Sequence, residues 1–122
     1  FRDFAYCDSG MIPWLLVAAL MSDKKQSLAE LVAAREAEFP CSGEINRRVE
    51  DPASLLAAVE AHYAPTALRI EHRDGLSIEN SDWRFNLRMS NTEPVVRLNV
   101  ESRGDRALME ARTEELLGYM EG

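Results

Sequence analysis

Two arginines flank a short polar loop in the last third of the sequence, and their spacing suits the binding of an anion. Arg88 precedes the segment Ser90-Asn91-Thr92-Glu93-Pro94, and Arg97 follows it. Arginine forks make bidentate, charge-assisted hydrogen bonds to phosphate or carboxylate oxygens. Two hydroxyls, an asparagine that tolerates left-handed backbone and a run of free loop amides would supply further donors. The segment therefore predicts a site for a small anion.

The two arginines lie on neighbouring strand candidates. Residues 83–89 and 95–102 each alternate apolar and polar side chains with a period of two. If they pair as a hairpin, burial of both apolar sets fixes the parity of the register, and the most symmetrical register places Arg88 opposite Arg97. Like charges that face each other destabilise a sheet unless something neutralises them. A bound anion would do so; the alternative is a polar turn beside a solvated sheet face, because exposed arginines are common.

The charge distribution favours the anion site. The chain of 122 residues carries a net charge of −7, from 14 Lys and Arg against 21 Asp and Glu. Residues 84–106 contain five arginines and three carboxylates, a local charge of +2 that leaves −9 for the remainder. In the same register Arg84 faces Glu101, which is a favourable pair. The acidic total argues against nucleic acid or an anionic membrane as a partner, because both need a basic surface.

From residue 40 onward the pattern predicts an α+β domain. Strand candidates at 44–49, 67–71 and 76–78 precede the two strong strands, a helix follows Asp51-Pro52, and another follows Gly104-Asp105. This order predicts a mainly antiparallel four- to five-stranded sheet with helices on one face. Trp83 is a candidate for its core.

Residues 1–39 are predicted to be helical. One helix covers the apolar run 11–21, which is shorter than the roughly 20 residues that a bilayer span needs. The next begins with the capping box Ser27-Leu28-Ala29-Glu30. Because the first helix is apolar on all sides, we expect it to be covered, with Trp14 in a core. We therefore expect these helices to be the end of a domain whose strands lie upstream, so that the chain is a fragment.

Other chemistry has weak support in the sequence. Cys7 and Cys41 stand alone, which fits a reducing, cytoplasmic compartment. His62 and His72 have no cysteine or carboxylate at ligand spacing, so no metal site is predicted. No serine lies in a triad-like arrangement, and no catalytic residue is assigned.

The ten residues from Arg88 to Arg97, Arg-Met-Ser-Asn-Thr-Glu-Pro-Val-Val-Arg, resemble a known motif. It is the R-x-S-N/G-T-E-P-x-x-R phosphate-binding signature in the C-terminal domain of the α-D-phosphohexomutase family. The similarity continues through residues 82–87 and 98–104, and residues 1–13 resemble the end of the family's third domain. The resemblance implies that residues 1–39 are the helical end of that α/β domain and that residues 40–122 form the C-terminal phosphate-binding domain.

The resemblance also implies a function. The parent would be a cytoplasmic isomerase, an intramolecular phosphotransferase that interconverts hexose 1-phosphate and hexose 6-phosphate of mannose or glucose. It would use a phosphoserine, Mg²⁺ and a hexose 1,6-bisphosphate as intermediate and activator. The family's serine and metal loops would lie upstream of residue 1, so the fragment would be inert alone. It would bind the phosphate that is not being transferred, through Arg88, Ser90, Asn91, Thr92 and Arg97, with Glu93 and Pro94 shaping the loop.

A second hypothesis is a non-enzymatic module that self-associates. The apolar helix at residues 11–21 would then drive homodimer formation through its exposed surface.

Overall fold

The structure is a computed structural model that describes residues 1–90 and 92–121. It divides into two compact units, residues 1–36 and residues 37–122.

The first unit is helical and buries none of its helical side chains. A short 3₁₀ turn at Arg2–Phe4 precedes α1, Met11–Lys24, and α2 begins at Leu28 and ends at Glu38. The predicted capping box is present: the Ser27 amide donates to the Glu30 carboxylate at 2.7 Å, and the Glu30 amide donates to Ser27 Oγ at 3.3 Å.

The prediction of a buried Trp14 is wrong for this chain, because its side chain is 61% exposed. Other apolar residues of the two helices are also exposed: Met11, Leu15, Leu16, Val17, Leu20, Leu28 and Val32.

None of the helices in the described part of the chain combines the length and the apolar character that are needed to cross a membrane.

The second unit confirms the predicted α+β architecture. Its elements are β1 Ile45–Arg48, α3 Pro52–Tyr63, β2 Arg69–Glu71, β3 Leu76–Glu79, β4 Trp83–Met89, β5 Val95–Ser102 and α4 Arg106–Glu121. The five strands form one sheet in the order β1-β5-β4-β3-β2, and every neighbouring pair is antiparallel.

Local signals set the ends of these elements. Asp51 caps α3 by accepting a hydrogen bond from the Ser54 amide at 3.0 Å, and Pro52 occupies the first helical turn, where a missing N–H costs little. Asp105 caps α4 in the same way, accepting from the Leu108 amide at 2.9 Å. Gly75, with φ of 74°, turns the chain from β2 into β3.

Both helices pack against the same face of the sheet. The side chains that alternate inward on β3, β4 and β5 meet those of α3 and α4 in a single core. The core residues are Leu55, Val59, Tyr63, Leu76, Ile78, Trp83, Phe85, Leu87, Val96, Leu98, Val100, Met109, Leu116 and Met120. Met89, at the end of β4, has the same parity but is 46% exposed. The opposite face of the sheet is polar and carries Arg84, Arg88 and Arg97.

Candidate anion-binding site

The register between β4 and β5 is the predicted one. Arg88 faces Arg97, and Arg84 faces Glu101, on the polar face of the sheet. The second pair is a bidentate ion pair, in which Arg84 Nε and Nη2 donate to the two Glu101 oxygens at 2.9 and 3.1 Å. The alternation of side chains therefore placed both arginines correctly from the sequence.

Two carboxylates, which the sequence analysis did not identify, neutralise the facing arginines. Arg88 donates from Nη2 to Glu44 and from Nη1 to Asp74, both at 3.1 Å. The other Glu44 oxygen lies 3.9 Å from Arg97 Nη1. The Glu44 carboxylate thus lies between the two guanidinium groups. Its partners are 44 and 53 residues away in sequence, and only the pairing of β1 with β5 brings them together.

The pKa values of these groups reflect the same contacts. Hydrogen bonds from Asn46 and then from Arg88 hold the pKa of the Glu44 carboxyl below its ordinary value. The Glu44 hydrogen bond and the charge of Asp74 raise the pKa of Arg88. Both residues therefore stay charged at neutral pH, and the cluster of Arg88, Arg97, Glu44 and Asp74 has a net charge of zero.

The loop between β4 and β5 uses several of its own donors. The Ser90 amide donates to Val95 O at 2.8 Å, and the Thr92 amide donates to Ser90 Oγ at 3.3 Å. The prediction of a run of free loop amides is therefore wrong at Ser90 and Thr92. Their hydroxyl oxygens lie together, 3.4 Å apart. Asn91, which the motif also assigns to the site, lies outside the described residues.

Glu93 and Pro94 use backbone carbonyls to hold the loop. Glu93 O accepts from the Val95 amide at 2.7 Å, and Pro94 O accepts from the Val49 amide at 3.2 Å, which ties the loop to the end of β1. These contacts agree with a loop-shaping role for both residues, which stays a prediction.

Gly75 lies directly beneath Arg88. A Cβ atom at this glycine would lie 2.5 Å from Leu87 O and 2.6 Å from Arg88 Cα, which is closer than non-bonded atoms approach. The turn that brings Asp74 to Arg88 therefore requires glycine at position 75 for two reasons: the positive φ, and the close approach of the backbone of β4.

The arrangement retains donors for an anion. The Arg97 side chain is 40% exposed, and its Nη1 atom lies 3.9 Å from Glu44, too far for a hydrogen bond. The two hydroxyls lie at the end of the strand that carries Arg88, whose side chain is 32% exposed. Guanidinium forks beside hydroxyls can bind a phosphate or carboxylate group, but such a ligand must compete with Glu44.

Mg²⁺, which the resemblance implies for the parent, prefers carboxylate and other oxygen ligands. Within residues 1–90 and 92–121, no three side chains of His, Cys, Asp or Glu lie close enough together to hold a metal ion. His72 lies 3.0 Å from Glu60, and His62 lies 3.6 Å from Glu115, so both histidines face carboxylates. The described residues therefore contain no cluster that fits a resident Mg²⁺.

Comparison with known families gives two matches. Residues 44–118 match the model of the phosphoglucomutase/phosphomannomutase C-terminal domain. Residues 1–39 match the model of the phosphoglucomutase/phosphomannomutase alpha/beta/alpha domain III.

Curated relatives cover the whole chain. A phosphomannomutase of Salmonella typhimurium strain LT2 is 67% identical over 120 residues, covering 98% of this chain, and one of Escherichia coli is 63% identical over the same coverage. The phosphohexose mutases of Xanthomonas campestris are 56% identical over all 122 residues. The chain spans 26 to 27% of the length of these relatives. By these matches, it belongs to the phosphoglucomutase/phosphomannomutase family.

Proposed function

We propose that this chain is the phosphate-holding part of a phosphohexomutase that interconverts the 1-phosphate and 6-phosphate of mannose or glucose. Relatives of high identity carry the names phosphomannomutase and phosphohexose mutase. The domain assignment of residues 1–39 and 40–122 belongs to the same proposal. So does a cytoplasmic location.

The site consists of Arg88, Ser90, Asn91, Thr92 and Arg97. One observation carries this assignment: Arg88 and Arg97 face each other across β4 and β5, beside the paired hydroxyls of the connecting loop. Two guanidinium groups at one place on a sheet are costly without an anion between them. Glu44 provides such an anion within the chain, and the substrate phosphate would provide a stronger one.

Glu44 is the group that the phosphate must displace. A phosphate monoester carries about −1.5 to −2 charges near neutral pH, whereas Glu44 carries one. The phosphate also offers three acceptor oxygens, enough to accept from both forks and from a hydroxyl. Until it binds, the carboxylate keeps both guanidinium groups in position, which reduces the conformational entropy lost on binding.

In the complete reaction this site would bind a phosphate group, and its residues would catalyse no step. In the proposed sequence a phosphoserine gives its phosphoryl group to the sugar, the bisphosphate reorients, and the other phosphoryl group returns to the serine. Hexose 1,6-bisphosphate is the intermediate and Mg²⁺ the metal of the parent. A site that reads only phosphate can hold either end of the bisphosphate, and domain closure then places the other end for transfer. We propose that the 122-residue chain binds without turnover.

Calorimetric titration of the chain with mannose 6-phosphate, glucose 6-phosphate and unphosphorylated mannose tests the proposal. Both phosphates are expected to bind with similar affinity, and mannose is not. Arg88→Ala is expected to weaken phosphate binding about tenfold or more, because it removes charge-assisted hydrogen bonds.

Arg84→Ala is the matched control. It removes the same charge from the same face of the same strand, but from an arginine that Glu101 already holds. Absence of binding by the unaltered chain, or equal losses in the Arg84 and Arg88 variants, would contradict the proposal.

The exposed apolar residues of α1 favour a second candidate function, self-association through residues 1–39. Sedimentation over a dilution series tests it. A dimer that the double substitution Leu15→Gln and Leu16→Gln dissociates, with phosphate affinity unchanged, would support it; a monomer at every concentration would exclude it.

A further inference from the structure

The edge strand β1 brings a third arginine to the polar face of the sheet. β1 pairs with β5 so that Asn46 faces Arg97, Arg47 faces Val96 and Arg48 faces Val95. Val96 is fully buried, so Arg47 lies on the side of the core, at its rim. Successive side chains point to opposite faces, and Arg48 therefore shares the polar face with Arg97.

Arg48 also lies level with the loop. The Ser90 amide donates to Val95 O, and Val95 is the residue opposite Arg48, so Ser90, Val95 and Arg48 form one row across the ends of three strands. The next row contains Arg88 and Arg97. Positions on one face that are diagonal across a strand pair lie about 7–8 Å apart, within reach of a long side chain.

The guanidinium group of Arg48 is uncommitted in the structure. It is exposed, and within residues 1–90 and 92–121 it makes no side-chain hydrogen bond or ion pair. Its neighbour Arg47 donates from Nη1 to Asn46 O at 3.1 Å. Arg88 and Arg97, by contrast, face Glu44.

The charges explain why a third arginine matters. The charges of Arg88, Arg97, Glu44 and Asp74 sum to zero, so a phosphate dianion that displaces Glu44 from the arginines but leaves it nearby adds two uncompensated negative charges. Arg48 halves that excess, and its fork can donate to the displaced Glu44 carboxylate or directly to a phosphate oxygen.

We propose that Arg48 is a third phosphate-binding arginine, which contacts the phosphate from the β1 side of the loop. This inference rests on the proposed function, because it assigns a further residue to the same site. It concerns phosphate only and gives Arg48 no part in reading the sugar.

Titration of the chain with inorganic phosphate and with mannose 6-phosphate tests the assignment. Arg48→Ala is expected to weaken both ligands about threefold to tenfold, the range between an exposed ion pair and a charge-assisted hydrogen bond. Arg47→Ala, the matched control, removes the same charge from the adjacent residue and the other face of the strand, and is expected to change affinity less than twofold. Arg48→Lys is expected to recover part of the loss, because it restores the charge without the fork.

The outcomes separate the two proposals. If the unaltered chain binds phosphate and the alanine variants at positions 47 and 48 lose affinity equally, affinity depends only on net charge, and the proposed contact between Arg48 and phosphate is wrong. If Arg48→Ala binds as tightly as the unaltered chain, the role is also wrong while the proposed function stands. If the unaltered chain binds neither ligand, both proposals fail.

Discussion

Residues 1–36 and residues 37–122 form the helices that their local signals predict, but they differ in what those helices bury. The capping box of α2 and the aspartate caps of α3 and α4 are equally well formed. The helices α1 and α2 bury no side chain, whereas α3 and α4 each bury three against the sheet. Caps and residue spacing thus specify a helix locally. Burial of its apolar side also requires a surface to pack against, and α3 and α4 have one in the sheet of their own unit.

The largest expected effect is a difference in stability between two leucines. Leu98 on β5 is fully buried, and Leu16 in α1 is 60% exposed. Leu98→Ala is expected to lower the free energy of unfolding of the second unit by about 2–5 kcal/mol, whereas Leu16→Ala changes it by less than about 0.5 kcal/mol. Urea denaturation followed by Trp83 fluorescence, in a Trp14→Phe background, measures both. Similar losses would show that the two regions unfold as one unit.

Two glycines sharpen the comparison within the second unit. Gly75 and Gly104 have similar positive φ, 74° and 69°, but an added Cβ meets backbone only at Gly75. Gly104→Ala is expected to cost about 1–2 kcal/mol for left-handed backbone alone. Gly75→Ala adds a collision with β4, so we expect a larger loss and altered amide signals for Leu87 and Arg88.

The same denaturation assay, with amide spectra of each variant, measures the difference between these glycines. If the two substitutions cost the same, the close approach beneath Arg88 contributes nothing.

The ionisation of Glu44 is a smaller effect. Asn46 and Arg88 lower the pKa of this carboxyl, so its stabilising contribution is complete above its ordinary pKa and is lost as the pH falls through the depressed one. Carbon-13 titration of the glutamate carboxyls is expected to show Glu44 below its ordinary pKa in the unaltered chain and closer to it in Arg88→Ala. Arg84→Ala should leave the value unchanged; an unshifted Glu44 in the unaltered chain would contradict the ion pair.

The fold of the second unit could be predicted from the sequence because its signals are local and agree with one another. Period-two alternation placed Arg88 opposite Arg97, and Asp74-Gly75 marked the turn. Glu44 could not be assigned, because its position depends on the pairing of β1 with β5 across about fifty residues. The prediction of free amides at Ser90 and Thr92 was wrong for a related reason. These amides donate to acceptors within the loop and at the start of β5, and the composition of the loop does not reveal this. The prediction that Trp14 is buried was wrong. A helix that is apolar on all sides needs surfaces to pack against, but its sequence does not show that this chain supplies them.

The most direct test of the central claim is an amide chemical-shift map of the chain during titration with inorganic phosphate. The account predicts saturable shifts for Ser90, Thr92 and Glu93, and for residues 44–48 as Glu44 is displaced, with no shift in residues 1–36. Loss of these shifts in the double variant Arg88→Ala and Arg97→Ala, and their retention in Arg84→Ala, would assign them to the facing arginines. No shift in the loop, or shifts of similar size in α1, would contradict the claim that this loop is the phosphate site.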